Sequence, residues 1–469
     1  MPEWFSVDTE GFKTLQAGKP VAFIARELIQ NALDACKNFI SISTLVVRDR
    51  VQISVQDDGL GFKSIEDAYK MFGYTEKRKK YDQRGRFNIG EKQAIARCDH
   101  AQIQTTTGTV IFNALGRSVS EACTQVGTIV MVEFVSETPQ AHADEIAVFC
   151  HKLIPPSRTA IIYNGTKIER TKPDYSIEVI LPTVADTRND GILRNTKRAT
   201  RVHLYRSDHT HLFEMGIPIC EIEGLWDVDV QQKVPMDLDR DQVSAAYLRD
   251  LFAAVLNVAA KDVTPEVASA SWVRAGCSSD KIDSKALSKV ITARYGDKVA
   301  IATPSDPNSI DDALANGYKV IRGSEMSAEE WDQVKRFSSI PSTHGVFPHM
   351  AADDGETVEP TEDMLRIAKL ASYIAKKTLN ISVSSQFAKW DGVGAQYANR
   401  TVTFNVRRLG RTFFADPLAK RVISLILHEI AHEEGNHTEA SYHEALSDMG
   451  AILALTDPAE LQAAIKEIP

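Results

Sequence analysis

The sequence lacks regularly spaced cysteines and long apolar runs. Its six cysteines are scattered without CxxC spacing, which argues against a cysteine-based zinc site and against a disulfide framework. No apolar run approaches the roughly 20 residues that span a bilayer. The first residues, MPEWFSVDTEG, lack the basic and apolar regions of a signal peptide. We therefore expect a cytoplasmic protein without membrane contact.

A strong excess of one charge is also missing. The net charge is −9 over 469 residues, so we do not expect a general nucleic-acid coat, although a local basic patch is compatible with it. The apolar fraction of 43% and the charged fraction of 25% are typical of a globular protein. At this length we expect about three or four folded units.

The stretch ARELIQNALDA, residues 25–35, predicts an amphipathic helix, because its apolar residues recur at helical spacing. Glu27, Asn31 and Asp34 lie three and four residues apart, which places them on one face. A carboxylate one helical turn from a carboxamide could act as a base that activates water, with the carboxamide beside it as a Mg2+ ligand. The alternative is a solvated polar face.

A half-buried strand and a glycine turn follow this helix. Val51, Ile53 and Val55 alternate with polar residues, and the strand ends in DDGLG at residues 57–61. The two glycines allow a tight turn and a close approach of the backbone to a ligand. Further strands are predicted in AQIQTTT, GTVIFNAL and VGTIVMVEF, which would form a mixed sheet.

Basic residues and glycines are concentrated between residues 72 and 96, ahead of a helical pattern. Free amides and the helix dipole at a helix N-terminus favour an anion, so this segment predicts a phosphate cradle. A charged surface loop is the alternative. The basic side chains are those of Lys77, Arg78, Lys79, Lys80, Arg84 and Arg86.

The order of these motifs resembles that of the GHKL ATPases, which include DNA gyrase B, MutL and the sensor histidine kinases. The resemblance lies in the predicted first domain, residues 1–145. It implies a Bergerat α/β sandwich that binds ATP and Mg2+ and dimerises through this domain. Glu27 would be the general base and Asn31 the Mg2+ ligand. Asp57 would accept a hydrogen bond from the adenine amino group.

The same resemblance implies further nucleotide contacts. Gly61 would pack under the base, Thr128 would support the adenine contact, and the residues from Gly85 to Gly90 would form a lid over the phosphates. Members often carry GxxGxG where this chain reads GRFNIG, but asparagine tolerates a left-handed backbone, so we expect the turn to persist. The remaining implied nucleotide-binding residues are Asp34, Gly59, Lys77, Asn88 and Lys92. The retained Glu27 favours hydrolysis over histidine-kinase activity.

Residues 146–262 predict a second α/β domain, in which Asn164-Gly165 between apolar segments indicates a hairpin. ATPases similar to gyrase and MutL have a transducer domain here, whose loop reads QTK in gyrase. Gln231-Gln232-Lys233 looks like its counterpart. The resemblance implies that Lys233 contacts the γ-phosphate and senses it.

Residues 263–350 predict a small α/β spacer. KVAIATP and YKVIRG are typical of buried strands, and DPNSIDDALANG and SAEEWDQVKRF are typical of helices. Asp306, Asp311 and Asp312 do not fit the acidic pattern of a Toprim-like metal site. The acidic stretch that begins at residue 351 predicts a linker.

The last predicted domain, residues 351–469, contains the HExxH motif His428-Glu429-Ile430-Ala431-His432 on an apolar helix. Two histidines four residues apart face one way and can bind Zn2+ together, and Glu429 is placed to take a proton from water. Polar residues on a core helix are the alternative.

The third zinc ligand is left open by the sequence. His437 follows Gly435 and is the preferred candidate, although it comes five residues after His432 where the metzincin pattern has six. His443, Glu444 and Asp448 are the alternatives. A hairpin predicted in GAQYANRTVTFNVRRLG would supply the edge strand that holds an extended peptide in zincins. These features resemble a small, mainly helical zincin domain.

The sequence thus predicts a multidomain α+β protein with two active sites. The preferred interpretation is an ATP-hydrolysing homodimer whose nucleotide state controls a zinc peptidase that acts on a polypeptide. One alternative is a clamp on nucleic acid similar to MutL or gyrase, with a structural HExxH domain. The other is an ATP-switched interaction protein.

Overall fold

The computed structural model describes residues 8–73, 75–86, 88–236, 242–303, 307–347, 356–390, 392–435, 437 and 439–466. They form two compact units. The first is Met1–Ala259 with Ser271–Gly276, and the second is Ala260–Ala270 with Cys277–Pro469. Among the described residues, no helix is both long enough and apolar enough to cross a membrane.

A mixed sheet is the centre of the first unit. Its strands are β1 (Phe39–Val47), β2 (Arg50–Asp57), β3 (His100–Thr105), β4 (Gly108–Asn113), β5 (Gly116–Ser120), β6 (Ile129–Val135), β7 (Ala160–Tyr163) and β8 (Thr166–Ile168). They are ordered β5-β4-β3-β6-β2-β1-β7-β8. The helices of this part are α1 (Thr9–Thr14), α2 (Ala22–Ala35), α3 (Gly90–Ala96) and α4 (Pro139–His151).

Helix α2 packs its apolar face on this sheet. Ile24, Leu28 and Ile29 are buried in the same core as Ile53 and Val55 of β2, which confirms the predicted helix and strand. Burial of each such side chain stabilises the fold by about 1.5–3 kcal/mol. The polar face of α2 is thereby held in a fixed orientation.

The predicted hairpin at residues 164–165 is confirmed. Asn164 and Gly165 both have positive φ angles, 48° and 80°, as the tight turn between β7 and β8 requires. Strand β7 pairs in parallel with β1. The first sheet therefore extends past residue 145, where the sequence predicted the first domain to end.

A second mixed sheet follows in the same unit. Its strands are β9 (Tyr175–Ala185), β10 (Arg194–Arg206), β11 (His211–Glu214), β12 (Ile217–Glu221) and β13 (Trp226–Val230), in the order β12-β11-β13-β10-β9. The helices after it are α5 (Ala245–Ala259) and α6 (Ser271–Cys277). Val202, Leu204 and Val228 are buried, and the residues that alternate with them on these strands are mostly polar.

The second unit begins with the small α/β segment that the sequence predicts. Its elements are α7 (Ser284–Tyr295), β14 (Val299–Ile301), α8 (Pro307–Ala315), β15 (Lys319–Ile321), α9 (Ala328–Phe337) and α10 (Thr343–Val346). Strands β14 and β15 pair in parallel, so β14, α8 and β15 form a βαβ unit. Asp306 lies outside the described residues, and Asp311 is exposed.

The described residues of this unit also form a four-stranded sheet and six further α-helices. The strands are β16 (Glu356–Thr357), β17 (Ser384–Lys389), β18 (Ala395–Ala398) and β19 (Thr401–Asn405), in the order β16-β17-β19-β18. The helices are α11 (Glu362–Leu379), α12 (Val406–Leu409), α13 (Arg411–Phe414), α14 (Lys420–Ile430), α15 (Ala440–Ala454) and α16 (Pro458–Lys466). The predicted hairpin is confirmed as β18 and β19, and β18 is an edge strand.

Candidate functional site

The polar face of α2 and the lid, which is the segment from Gly85 to Gly90, line a small cavity. Residue 87 of the lid lies outside the described residues. Six predicted nucleotide-site residues meet there: Glu27, Asn31, Lys77, Gly85, Asn88 and Gly90. The cavity holds about 60 Å³, whereas pockets for small molecules usually hold about 300–1,000 Å³. The cavity beside α2 is therefore smaller than a usual small-molecule pocket.

Gly90 lies directly against the Glu27 carboxylate. A Cβ atom at this position would lie 1.8 Å from Oε2 of Glu27, so only glycine allows this approach. Glu27 itself is 3% exposed, and one of its oxygens lies 3.4 Å from Nε of Arg26. The first residue of α3 and the predicted base are therefore in contact.

Asp34 anchors the residues just before the lid. Its carboxylate is fully buried and accepts hydrogen bonds from the backbone amides of Arg84 and Gly85, at 3.0 and 2.9 Å. Nη1 of Arg84 and Nζ of Lys77 lie 3.1 and 3.6 Å from it. The sequence predicted a nucleotide contact for Asp34, whereas the structure places its oxygens on these groups of the chain.

Two of the basic residues predicted to form a phosphate cradle contact the second sheet, and one of them, Arg86, also lines the cavity. Arg84 donates to the Met215 carbonyl. Arg86 is 3% exposed, pairs with Glu214, and donates to the Val234 carbonyl at 2.8 Å. Since Glu214 also accepts from the Val234 amide, these contacts join the segment around the lid to the second sheet.

The two remaining lid-associated residues have distinct roles. Asn88 adopts a left-handed φ of 54°, which confirms that asparagine keeps the turn. Lys92 is buried, and its ammonium group donates to the Asp67 carbonyl at 2.9 Å and lies 3.3 Å from the Asn88 side chain. Lys92 thus supports the lid from behind, in a position that does not line the cavity.

The other predicted nucleotide residues meet at the end of β2. The Asp57 amide donates to the Thr128 carbonyl, and Oδ1 of Asp57 accepts from the Gly59 amide at 2.8 Å. Burial raises the pKa of Asp57, although the backbone amides of Gly59 and Thr128 oppose this effect. Gly61 has a φ of 76°, and its Cα faces the hydroxyl of Thr106. Asp57, Gly59, Gly61 and Thr128 therefore form one cluster.

The adjacent aspartate has a structural role. Asp58 accepts hydrogen bonds from the backbone amides of Lys37, Asn38 and Phe39, between α2 and β1. Burial raises the pKa of Asp58, but the amides of Asn38 and Lys37 outweigh it and bring the pKa to about 2. The structure thus separates the two neighbouring aspartates, since only Asp57 belongs to the cluster with Thr128.

Lys233 lies beneath the basic loop, residues 75–84. It is fully buried, and its ammonium group donates to the Lys77 carbonyl at 2.6 Å. The Lys233 amide donates to the Tyr81 carbonyl. The predicted sensor lysine is thus in contact with the backbone of a residue that lines the cavity.

A second site lies in the second unit, where three histidines come together. One ligand nitrogen from each of His428, His432 and His437 lies within 4.8 Å of the others. The Nε2 atoms of His428 and His437 are 3.1 Å apart. Two nitrogens bound to one tetrahedral zinc at about 2.0–2.1 Å would be roughly 3.3 Å apart. The donor set and this spacing fit a zinc ion.

Hydrogen bonds fix the orientation of two of these rings. Nδ1 of His428 lies 2.9 Å from the Tyr442 hydroxyl, and Nδ1 of His432 lies 3.2 Å from the Gly435 carbonyl. A carbonyl can only accept, so Nδ1 of His432 carries the proton and its Nε2 keeps a lone pair. Such outer contacts are typical of histidines that bind metal.

The electrostatics of this site keep the imidazoles neutral. Burial lowers the pKa of His428 to about 4 and that of His437 to about 3, with further contributions from neighbouring histidines. Burial raises the pKa of Glu429 to about 8, and a divalent cation beside it would lower this pKa. Neutral imidazole is the form that binds a metal ion.

Gly435, two residues before His437 in the sequence, has a φ of 153°. A Cβ atom there would lie 2.3 Å from the Glu439 carboxylate. The alternative third ligands are exposed on α15, and none of them belongs to the cluster: His443, Glu444 and Asp448. Nε2 of His443 contacts the His437 carbonyl instead.

The edge strand β18 is tied to the end of the motif. The Tyr397 hydroxyl donates to Glu433 at 2.7 Å, and Arg400 pairs with the same carboxylate at 3.0 Å. Glu433 follows His432 directly in the short 3-10 turn after α14. These bonds hold the hairpin beside the three histidines.

Sequence reasoning missed several residues at the two sites. The sequence shows Arg84 and Arg86 only as members of a basic run, since no pattern in it predicts their contacts with Met215 and Glu214. Tyr442 had no signal beyond its place in the helix after the motif.

Residues 21–122 match the family described as histidine kinase-, DNA gyrase B-, and HSP90-like ATPases. The match contains α2, the turn after β2 and the lid, whereas Thr128 and Lys233 lie outside it. No curated protein matches the chain. The matched part is similar to ATPase domains of this type, which implies ATP and usually Mg2+, and the large mixed sheet agrees with that fold.

The two adjacent aspartates should respond differently to substitution. We expect Asp57→Asn to weaken ATP binding at least about 10-fold, the loss of roughly 1.4 kcal/mol from a charged hydrogen bond. Asp58→Asn should lower the unfolding temperature and leave the ATP affinity of the folded protein within about threefold, a change of under 1 kcal/mol. Titration with a fluorescent ATP analogue and thermal unfolding measure the two effects.

The pH dependence of the free energy of unfolding provides the control for Asp58→Asn. Because the pKa of Asp58 is depressed in the folded protein, its stabilising effect is present at neutral pH and is lost as the pH falls toward 2. The stability difference between wild type and Asp58→Asn should therefore shrink on acidification. Equal effects of the two substitutions on ATP affinity would contradict the assignment.

Proposed function

We propose that the first unit binds Mg2+-ATP at the cavity beside α2 and hydrolyses it. The observation that supports this proposal most strongly is the contact of Gly90 with the Glu27 carboxylate, which brings the lid onto the predicted base. Asn31 would hold Mg2+, which neutralises charge on the phosphates when bound. Asp57 would accept a hydrogen bond from the adenine amino group, with Gly61 and Thr128 beside the base.

In the proposed reaction, Glu27 accepts a proton from the attacking water. The water oxygen bonds to the γ-phosphorus, the bond from phosphorus to the β-γ bridging oxygen breaks, and ADP and phosphate result. The Glu27 side chain is 3% exposed, so its carboxylate is largely shielded from bulk solvent. Lys233 would leave the Lys77 carbonyl and contact the γ-phosphate.

Replacing Glu27 by glutamine should separate binding from hydrolysis. We expect kcat for ATP to fall at least about 100-fold, the lower range for loss of a general base. The Kd for an ATP analogue should change much less, because glutamine keeps the shape of the side chain. Glu91→Gln alters another buried carboxylate beside the cavity, one that lies 3.4 Å from Lys92, and should retain most activity. Equal losses in both variants would contradict the role of Glu27.

We also propose that the second unit is a zinc-dependent peptidase. The convergence of His428, His432 and His437 supports this second function, together with the edge strand beside the motif. An edge strand can bind an extended peptide by backbone pairing. A polypeptide is therefore the substrate that fits best.

Glu429 would act as the base and then as the acid of this reaction. Zinc, when bound by the three histidines, lowers the pKa of water and polarises the peptide carbonyl. Glu429 would take a proton from the attacking water and pass it to the leaving nitrogen as the C–N bond breaks. Its burial keeps this carboxylate away from competing bulk water.

Metal analysis tests this proposal directly. The purified chain should contain about one zinc per protein, and removing the zinc with a chelator should abolish cleavage of an unfolded casein. Glu429→Gln should retain zinc but lose at least about 100-fold in kcat, as expected for a missing general base. Protein that binds no zinc after incubation with Zn2+ would contradict the peptidase.

The Tyr442 hydroxyl should matter for zinc affinity. We expect Tyr442→Phe to weaken zinc binding about 10- to 100-fold, the usual effect of removing an outer contact to a metal-bound histidine. Competition with a chromogenic chelator measures this change. Tyr397→Phe removes a hydroxyl that bonds Glu433 instead of a histidine, and its zinc affinity should equal that of wild type.

We further propose that the nucleotide state controls the peptidase through closure of a homodimer, because one chain carries both sites. An ATP analogue should shift the full chain toward dimer and change the rate of casein cleavage. Glu27→Ala should remove the dependence on ATP turnover. If ATP and Glu27→Ala leave both the oligomeric state and cleavage unchanged, this coupling is wrong. Salt-sensitive DNA binding would instead favour the nucleic-acid clamp.

A further inference from the structure

A second cleft in the first unit has no role in the proposed ATP reaction. It holds about 670 Å³, within the usual range for small-molecule sites of about 300–1,000 Å³. One wall is the segment from Ile154 to Thr159, another contains Tyr81 and Arg84, and the floor is the second sheet.

The floor is polar because side chains alternate along each strand. Val202 and Leu204 of β10 are buried in the apolar core, whereas His203 and Tyr205 face the cleft. His203 lies opposite Asp229 of β13 in the sheet register. A sheet surface with these groups at the bottom of a cleft is typical of a binding site.

The hydroxyl of Tyr205 is available to a ligand. Tyr205 is 8% exposed, yet its hydroxyl has no hydrogen-bond partner among the described residues. Burial raises the pKa of Tyr205 to about 12, with a further contribution from Asp229, so the group keeps its proton. The hydroxyl can therefore donate a hydrogen bond to a ligand in the cleft and accept one from it.

Two arginines at the mouth of the cleft supply positive charge. Arg170 makes no ion pair within the described chain, and Arg201 lies 3.4 Å from Glu178, a loose pair between exposed groups. Burial lowers the pKa of His203, and the charges of Arg170 and Arg201 lower it further. Asp82 and Glu178 also line the cleft, and Arg170, which makes no ion pair within the described chain, can attract an anionic group of a ligand.

Asp229 supplies acceptors at the floor. It is 3% exposed, and its two oxygens accept from the Gly216 amide and from the Gln231 side chain. Each carboxylate oxygen can accept more than one hydrogen bond. An N–H donor on a ligand would match this end of the cleft.

The geometry points to a binding site for a small molecule that carries an anionic group and an N–H donor. The anion would lie between Arg170, Arg201 and the Tyr205 hydroxyl, with the donor toward Asp229. Free amino acids and nucleoside monophosphates both have this chemistry.

Occupancy of this cleft would be transmitted to the ATP site. Arg84 lines the cleft and bonds Asp34, the anchor of the lid. Gln231 also lines the cleft, two residues before Lys233, which bonds the Lys77 carbonyl. The ligand would therefore be an effector of nucleotide binding, a step that rests on the proposed ATPase function.

The binding claim is tested on the full chain with its ATP site saturated by Mg2+ and a non-hydrolysable ATP analogue. The twenty amino acids and AMP, GMP, CMP and UMP are titrated singly by calorimetry. We expect saturable binding of one of the two classes, and the class that binds identifies the source. Inorganic phosphate and acetate, which lack the N–H donor, should bind at least tenfold more weakly.

Variants locate the bound molecule. Arg201→Ala and Tyr205→Phe should each weaken binding at least tenfold. Arg206→Ala is the matched control, because Arg206 neighbours Tyr205 on β10 but points to the opposite side of the sheet, and it should bind as wild type does. Unchanged melting temperatures show that the variants fold. Failure of every compound to bind, or equal binding by all variants, would overturn the site.

Reciprocity tests the link to the ATP site. If the cleft is an effector site, its ligand must change the Kd of the ATP analogue by the same factor by which the analogue changes the Kd of the ligand. A bound ligand that leaves the Kd of the analogue unchanged would overturn the link but leave the binding site in place. Failure of the analogue itself to bind would count against the proposed ATPase function instead.

Discussion

The buried carboxylate of Asp34 is the contact on which the arrangement of the ATP site depends. Burial raises its pKa, but the charges of Lys77 and Arg84 and the amides of Arg84 and Gly85 outweigh that effect, and the pKa is lowered. The group is therefore ionised and binds the start of the lid to α2. A single carboxylate thus decides where the lid begins, and hence where Gly90 meets Glu27.

The residues around Asp34 also connect the ATP site to the second sheet. Arg84 reaches from Asp34 to the Met215 carbonyl, and Arg86 pairs with the buried Glu214. Buried ion pairs contribute little net stability but strongly disfavour separation of their partners. The lid is thus held between the two sheets, and a movement of either sheet changes the position of the residues that line the cavity.

The parts of the fold that follow from local pattern could be predicted from the sequence. Helix α2, strand β2, the hairpin at Asn164-Gly165 and the left-handed turn at Asn88 depend on periodicity and turn chemistry within a few residues. The pairing of Arg86 with Glu214 and the contact of Tyr442 with His428 depend on how distant segments meet. The charges of Asp57 and Asp58 also do not show which of them has which role. Their roles differ because the two carboxylates accept hydrogen bonds from different backbone amides.

The measurement that tests the central claim most directly is hydrogen exchange of the lid in the full chain. If α2 and the lid form one ATP site, Mg2+ with a non-hydrolysable ATP analogue should slow exchange of the amides between residues 85 and 92. The exposed β4–β5 turn, which includes Leu115 at 98% exposure, should exchange equally fast with and without nucleotide. Unchanged exchange across the lid at a saturating concentration of the analogue would contradict the account.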